Sequence, residues 1–213
     1  MKKFIPQIIL DFLKWQKIKY INRSKNREKI IKNWSKDGKR GLTPHVIKQE
    51  AIRYYQKKYN IKILVETGTF MGEMVYAQRN NFEKIISIEL SKELFNIALK
   101  RLKKYKNVEI TNGDSGKVLK QLVDKISDPA IFWLDGHYSG FETAKGDLET
   151  PIKYELDTIL SSRLNHIILI DDARLFIGKN DYPTIEELKA YVLAKKINYI
   201  FNIEDDIIRI YNK

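Results

Sequence analysis

Six acids fall at, or just past, the ends of five short apolar runs: Glu66 after ILV, Glu89 after IISI, Asp114 in Gly113-Asp114-Ser115, Asp135 after IFWL, and Asp171-Asp172 after HIILI. Carboxylates gathered on one rim repel one another unless cations, or ligand hydroxyls and amines, occupy the space between them. Asp135, Asp171 and Asp172 present three carboxylates to one point. An oxygen-only donor set suits Mg²⁺ or a similar divalent cation rather than zinc. A hard cation held there binds a substrate hydroxyl and lowers its pKa. The plainer alternative is that Asp171 and Asp172 cap the following segment and pair with Arg174. Asp135 opens the polar loop Gly136-His137-Tyr138-Ser139-Gly140. There His137 is the candidate general base beside Asp135, because imidazole titrates near neutral pH. His45 and Lys145 are the other candidates for that role, and His166, opening a buried run, reads as structural.

The second constellation is a glycine loop. Glu66-Thr67-Gly68-Thr69-Phe70-Met71-Gly72 reads E-x-G-x-x-x-G, and a second apolar run then ends in Glu89. In doubly wound α/β domains, small residues at this turn let the backbone approach a nucleoside, and an acid about 20 residues on accepts hydrogen bonds from ribose hydroxyls. The third glycine that packs a pyrophosphate-binding turn is missing. A nucleoside ligand without phosphates fits better, and S-adenosylmethionine is the candidate. Glu66, Thr67, Gly68, Gly72 and Glu89 are the candidate residues of this pocket.

To position these residues the chain must alternate strands and helices. Strands are expected at 61–66, 84–89, 107–111, 130–135 and 166–171, and helices at 72–80, 91–105, 115–125, 150–162 and 183–195. The last apolar runs, 197–203 and 207–211, are separated only by Glu204-Asp205-Asp206. That gap is too short for a crossover helix, so they form an antiparallel hairpin. The expected fold is α/β: a doubly wound, Rossmann-like, seven-stranded sheet, mostly parallel with a reversed C-terminal hairpin strand, plus a helical N-terminal extension. Residues 141–151, FETAKGDLETP, lengthen one strand-to-helix passage and read as a substrate-facing lid or a plain surface loop.

The charge is lopsided. Residues 1–60 hold 17 Lys+Arg against 4 Asp+Glu, which is +13, and residues 61–213 hold 22 against 23, which is −1, so all of the positive excess lies ahead of the first motif. The division is therefore a basic extension, 1–60, and a catalytic domain, 61–213. Phe4, Ile5, Ile8, Ile9, Phe12 and Leu13 recur at helical spacing before Lys14, Lys17 and Lys19. This helix either packs on the domain, lies on an anionic membrane surface through residues 4–20, or belongs to a nucleic-acid arm. Residues 22–41 are polar and Lys-rich and end in a loop at 37–41. Thr43-Pro44 then opens a helix to about Tyr59 with proline at its first position. The chain has no cysteine, which excludes disulfides and thiolate metal sites. No secretory signal or 18-residue uncharged run is evident, so the expected place is the cytoplasm, including the inner membrane face.

VETGTFMG, the acid in IISIELS, the Gly113-Asp114-Ser115 turn, IFWLDGHYSG and ILIDDAR follow one another in the order seen in class I S-adenosylmethionine-dependent methyltransferases, which the chain resembles over roughly residues 60–213. Within that class the Asp135 and Asp171-Asp172 pattern is similar to the divalent-metal O-methyltransferases of the catechol and macrocin (sugar) types. The resemblance implies that Glu66, Gly68 and Gly72 line the methionine side of the cofactor and that Glu89 holds the ribose. It places Asp114 and Ser115 near adenine and assigns Mg²⁺ to Asp135, Asp171 and Asp172. Two departures stand out: the 36-residue interval from Asp135 to Asp171, and Tyr138 where the catechol type carries a lysine, so the catechol type's base does not transfer. The expected reaction is O-methylation of a sugar, glycan or other small polar acceptor, anionic or lipid-linked to suit the basic extension. The runners-up are a nucleic-acid methyltransferase and a non-catalytic membrane-associated protein of the same fold. The oligomeric state, homo-oligomer included, is left open.

Overall fold

A computed structural model describes residues 7–39, 42–136 and 150–212, with side chains from Leu13 onward. Seven strands alternate with helices: β1 (Ile63–Thr67), β2 (Lys84–Glu89), β3 (Val108–Asn112), β4 (Ala130–Leu134), β5 (Ile167–Ile170), β6 (Tyr199–Glu204) and β7 (Ile207–Asn212). Their order in the sheet is β3-β2-β1-β4-β5-β7-β6, as the expected doubly wound fold requires. The first five are parallel, and β7 alone runs antiparallel to its neighbours β5 and β6. All residues of AIFWL in β4 and IILI in β5 are buried. Such strands read as continuous apolar runs because helices cover both faces of a parallel sheet.

On one face pack α6 (Ser115–Val123), α7 (Ile152–Leu160) and α8 (Ile185–Lys195), through Leu119, Leu156, Ile159, Leu188 and Val192. On the other pack α3 (His45–Tyr59), α4 (Glu73–Gln78) and α5 (Lys92–Leu102), through Ile52, Tyr55, Met74, Val75 and Leu102. Register then aligns the strand ends. Thr67 pairs with Ile88 on one side and Leu134 on the other, and Leu134 pairs with Ile170. The next residue in each strand is therefore Gly68, Glu89, Asp135 and Asp171, side by side along one edge. The sheet order reverses at β1, and a crevice outside the carboxyl ends at such a point is where ligands bind in this architecture.

Within the polar, lysine-rich stretch 22–41, residues 24–36 form a helix, α2 (Ser24–Lys36), which buries Arg27 and Trp34 seven residues apart on one face. Those two anchor a helix whose remaining surface is lysine-rich and solvated. The first helix, α1 (Gln7–Ile21), lies against the domain in its distal half. The Trp15 ring meets Tyr76 edge-on at 5.0 Å, and Arg101 lies 5.0 Å from the Trp15 centroid. Among the described residues no helix is long and apolar enough to cross a membrane.

Candidate functional site

The glycine loop is built as its sequence demands. Gly68 has φ +87, and a Cβ on it would stand 2.3 Å from the Asp135 carbonyl oxygen, so only glycine fits between β1 and β4. Gly72 has φ +78 and faces the Leu102 side chain. Between them Phe70 takes φ 48, left-handed backbone for a bulky residue. It is held by a hydrogen bond from its N–H to Glu89 Oε2 at 2.7 Å, while Ser91 N–H donates to Glu89 Oε1 at 2.9 Å. Each Glu89 oxygen thus accepts one backbone bond and keeps capacity for another. Burial pushes the Glu89 carboxyl upward, and the N–H groups of Ser91 and Phe70 draw it back. The residue expected to hold ribose is therefore rigidly presented beside the loop.

Glu66 stands differently from Glu89. It is buried, it accepts a hydrogen bond from Ser87 across the β1–β2 pair, and Ser87 in turn shares one with Thr69 at 2.6 Å. Desolvation raises its pKa well above the ordinary carboxylate range, with the charges of Asp135 and Glu89 adding to the rise. It forms the floor beneath the loop. Asp114 is the N-cap of α6, accepting from Gly116 N–H at 3.0 Å, and Ser115 follows in the first helical turn.

At the β4 and β5 ends the expected three-acid metal site does not form. Lys48, from the first turn of α3, places its Nζ 2.5 Å from Asp171 Oδ2 and 3.4 Å from Asp172 Oδ1. Asp171 Oδ1 accepts from the Asp172 N–H at 2.9 Å. Asp172, in left-handed backbone, also pairs with Arg174 at 2.7 Å, which is the plainer alternative for this residue. Among the described residues no group of three or more His, Cys, Asp or Glu side chains could hold a metal ion. The ammonium and guanidinium take up the oxygens that Mg²⁺ would need, so these residues as arranged do not fit the ion. Burial and the Asp135 charge push Asp171 up to about 7, with Lys48 opposing. Burial would lower Lys48, but Asp171 and Asp172 more than offset it, so the amine stays charged.

Asp135, half-buried, is the electrostatic centre, its charge acting on His45, Lys48, Glu66, Glu155 and Asp171. Two of these come from α3, whose first turn aims His45 and Lys48 at the sheet edge. A chain of hydrogen bonds orients His45: Arg27 donates to Gln49 Oε1, and the Gln49 amide nitrogen lies 2.7 Å from His45 Nδ1. Desolvation lowers the His45 pKa against the pull of Glu73 and Asp135, so the ring is neutral at pH 7. A third of its side chain is still exposed. His137 and Lys145, the other two base candidates, lie outside the described residues, as does most of the 141–151 passage. His166 is structural: its Nδ1 accepts from Ala130 N–H at 3.1 Å, and its ring stands edge-on to Phe132.

Glu155 escaped the sequence reading. It lies on the inner face of α7, 1% exposed. Desolvation drives its pKa to about 7, although the Ser115 and Thr67 hydroxyls lie near enough to favour the charged form. By donor–acceptor geometry, Glu155 Oε1 and Thr67 Oγ1 nonetheless stay without a hydrogen-bond partner. Both face the space above Gly136, where a Cβ would lie 3.3 Å from Thr67 Oγ1 and 3.5 Å from Glu155 Oε1. The signal was available: Ile152, Glu155, Leu156 and Ile159 share one helical stripe.

No protein-family model matches the sequence, and no curated protein does. The fold, however, matches solved structures along nearly the whole chain. A Staphylococcus aureus protein with a provisional caffeoyl-CoA O-methyltransferase assignment superposes with a TM-score of 0.57 at 14% identity, over 96% of this chain and 100% of its own. The chain has the methyltransferase fold. An O-methyltransferase from Bacillus cereus, solved with S-adenosylhomocysteine, gives 0.56 at 12% identity over 92% of this chain and 96% of that one. The O-methyltransferase TomG of Streptomyces achromogenes, solved with S-adenosylmethionine, gives 0.55 at 16% over 80% and 81%. The methyltransferase-like chain thus shares architecture with these proteins at identities that speak for the fold alone.

Proposed function

We propose that this chain is an S-adenosylmethionine-dependent methyltransferase that methylates a hydroxyl of a small polar acceptor, of the sugar or glycan class. One observation carries the reading. Gly68, Glu89, Asp135 and Asp171 stand side by side at the ends of four adjacent strands, with the Gly68 turn pressed against β4 and bonded to β2. The β1–β2 half of this row suits a nucleoside, with Glu89 accepting from the ribose hydroxyls, Glu66, Thr67, Gly68 and Gly72 at the methionine side, and Asp114 and Ser115 at the base. The β4–β5 half suits the acceptor.

In this reading the acceptor oxygen attacks the sulfonium methyl in line. The oxygen–carbon bond forms as the carbon–sulfur bond breaks, S-adenosylhomocysteine leaves as a neutral thioether, and the acceptor proton passes to the protein. Asp135 and His137 are the proposed proton-handling pair, with neutral His45 at the same edge. The enzyme contributes chiefly position, since a bimolecular displacement gains most from fixed alignment of its partners. The net positive charge of residues 1–60 suits an anionic or lipid-linked acceptor. The test is transfer of labelled methyl from S-adenosylmethionine to a panel of sugars, nucleotide sugars and lipid-linked glycans, with RNA as a control. Label entering a hydroxyl acceptor as an ether supports the reading, and label entering RNA alone contradicts it.

A further inference from the structure

We infer that Lys48 is the resident cation of the strand-end carboxylates, an ammonium group built in where this arrangement would otherwise recruit a divalent ion. The inference concerns the acceptor half of the site proposed above, and its test does not depend on turnover. Lys48 reaches the site from α3, 123 residues before Asp171, and donates to both Asp171 and Asp172. The contact is not a passing surface pair: the side chains of Lys48, Asp171 and Asp172 are only 16%, 2% and 11% exposed. Buried charges of this kind persist only when paired and hydrogen-bonded. Asp171 has both oxygens committed, one to Lys48 and one to the Asp172 N–H. Asp172 Oδ1 is shared between Lys48 and Arg174. Asp171 and Asp172 therefore face two fixed cations, and a divalent ion could enter between them only by expelling the ammonium.

An ammonium has three N–H donors. Described residues use two of them, on Asp171 and Asp172, and Asp135 adds its charge to the same amine. The remaining donor is free to orient an acceptor oxygen at the edge where Asp135 and His45 converge. Lys48 is thus a positioning residue that supplies positive charge without an exchangeable ion. It also explains why α3 belongs to the working site: without that helix the buried Asp171 would lose the cation it is bonded to.

The test is Mn²⁺ binding, followed by loss of the free-ion electron paramagnetic resonance signal, in the full-length wild type, Lys48→Gln and Lys48→Arg. Circular dichroism checks the fold of each. Wild type and Lys48→Arg are expected to leave the Mn²⁺ signal unattenuated up to millimolar ion. Lys48→Gln, which frees the carboxylates, is expected to bind at least about tenfold more tightly. An added Asp171→Asn substitution should abolish that gained binding. Wild-type Mn²⁺ binding that Asp171→Asn removes would overturn the inference, and so would a folded Lys48→Gln protein that gains nothing. Should Lys48→Gln not fold, the wild-type and Lys48→Arg titrations decide alone. Titration of S-adenosylhomocysteine into the same samples reports separately on the methyltransferase reading.

Discussion

A Cβ on Gly68 would lie 2.3 Å from the carbonyl oxygen of Asp135, closer than any two such atoms can stand. The glycine loop and the β4 end are therefore packed backbone to backbone, which joins the proposed cofactor half of the site to the proposed acceptor half. Gly68→Ala is expected to lower unfolding stability by about 1–3 kcal/mol from the left-handed backbone alone. The steric overlap adds to that cost. Denaturant unfolding with S-adenosylhomocysteine titration measures both consequences, and a fully stable, fully binding Gly68→Ala protein would contradict the packing.

Glu89→Ala removes the proposed ribose partner and the acceptor for two loop N–H groups, those of Phe70 and Ser91. Affinity for S-adenosylhomocysteine is expected to fall by about 1.5–3 kcal/mol, on the order of 10- to 150-fold. Calorimetry checks this directly, and unchanged affinity would remove Glu89 from the pocket.

Glu155 makes stability depend on pH. Its folded pKa, about 7, lies above its ordinary value of 4.5. Between these values the native state holds more protons than the unfolded chain, so stability falls as pH rises through this window and the loss is complete above about 7. The difference corresponds to about 3 kcal/mol. Glu155→Gln keeps the shape and removes the titration, so its stability advantage over wild type should grow between pH 5 and pH 8. Parallel urea midpoints at several pH values test this, and a pH-independent difference would contradict it.

Arg27 ties α2 to the site through Gln49 and Glu50, with its own side chain only 7% exposed. Arg27→Met strands the buried Gln49 oxygen without a donor, a cost of about 1–3 kcal/mol. It also frees the Gln49 amide that holds His45. Lowered thermal stability is expected, together with a changed His45 titration followed by NMR. Unaltered values for both would show that α2 is only an appendage.

Most of the sheet was legible because its central strands are buried on both faces, so that ILVE, IISIE, AIFWLD and HIILIDD stand out as β-branched and aromatic runs, each closed by an acid. The loop geometry followed from Gly68 and Gly72 because each position requires what only glycine supplies. What stayed hidden depends on partners distant in sequence. Nothing around Lys48 announces that its ammonium will meet Asp171, and the three acids alone suggest a metal ion. Glu155 shares the apolar stripe of Ile152, Leu156 and Ile159, a signal obscured by the exposed Asp157 two residues on. Within the expected helical extension the bounds of α2 stayed hidden, because only Arg27 and Trp34 mark its buried face among the lysines.

The most direct measurement is calorimetric titration of S-adenosylhomocysteine into the full-length protein, with EDTA and with added Mg²⁺. A dissociation constant on the order of micromolar, equal in both buffers, is the predicted result. No detectable binding in either buffer would contradict the account, because the row from Gly68 to Asp171 would then have no cofactor to serve.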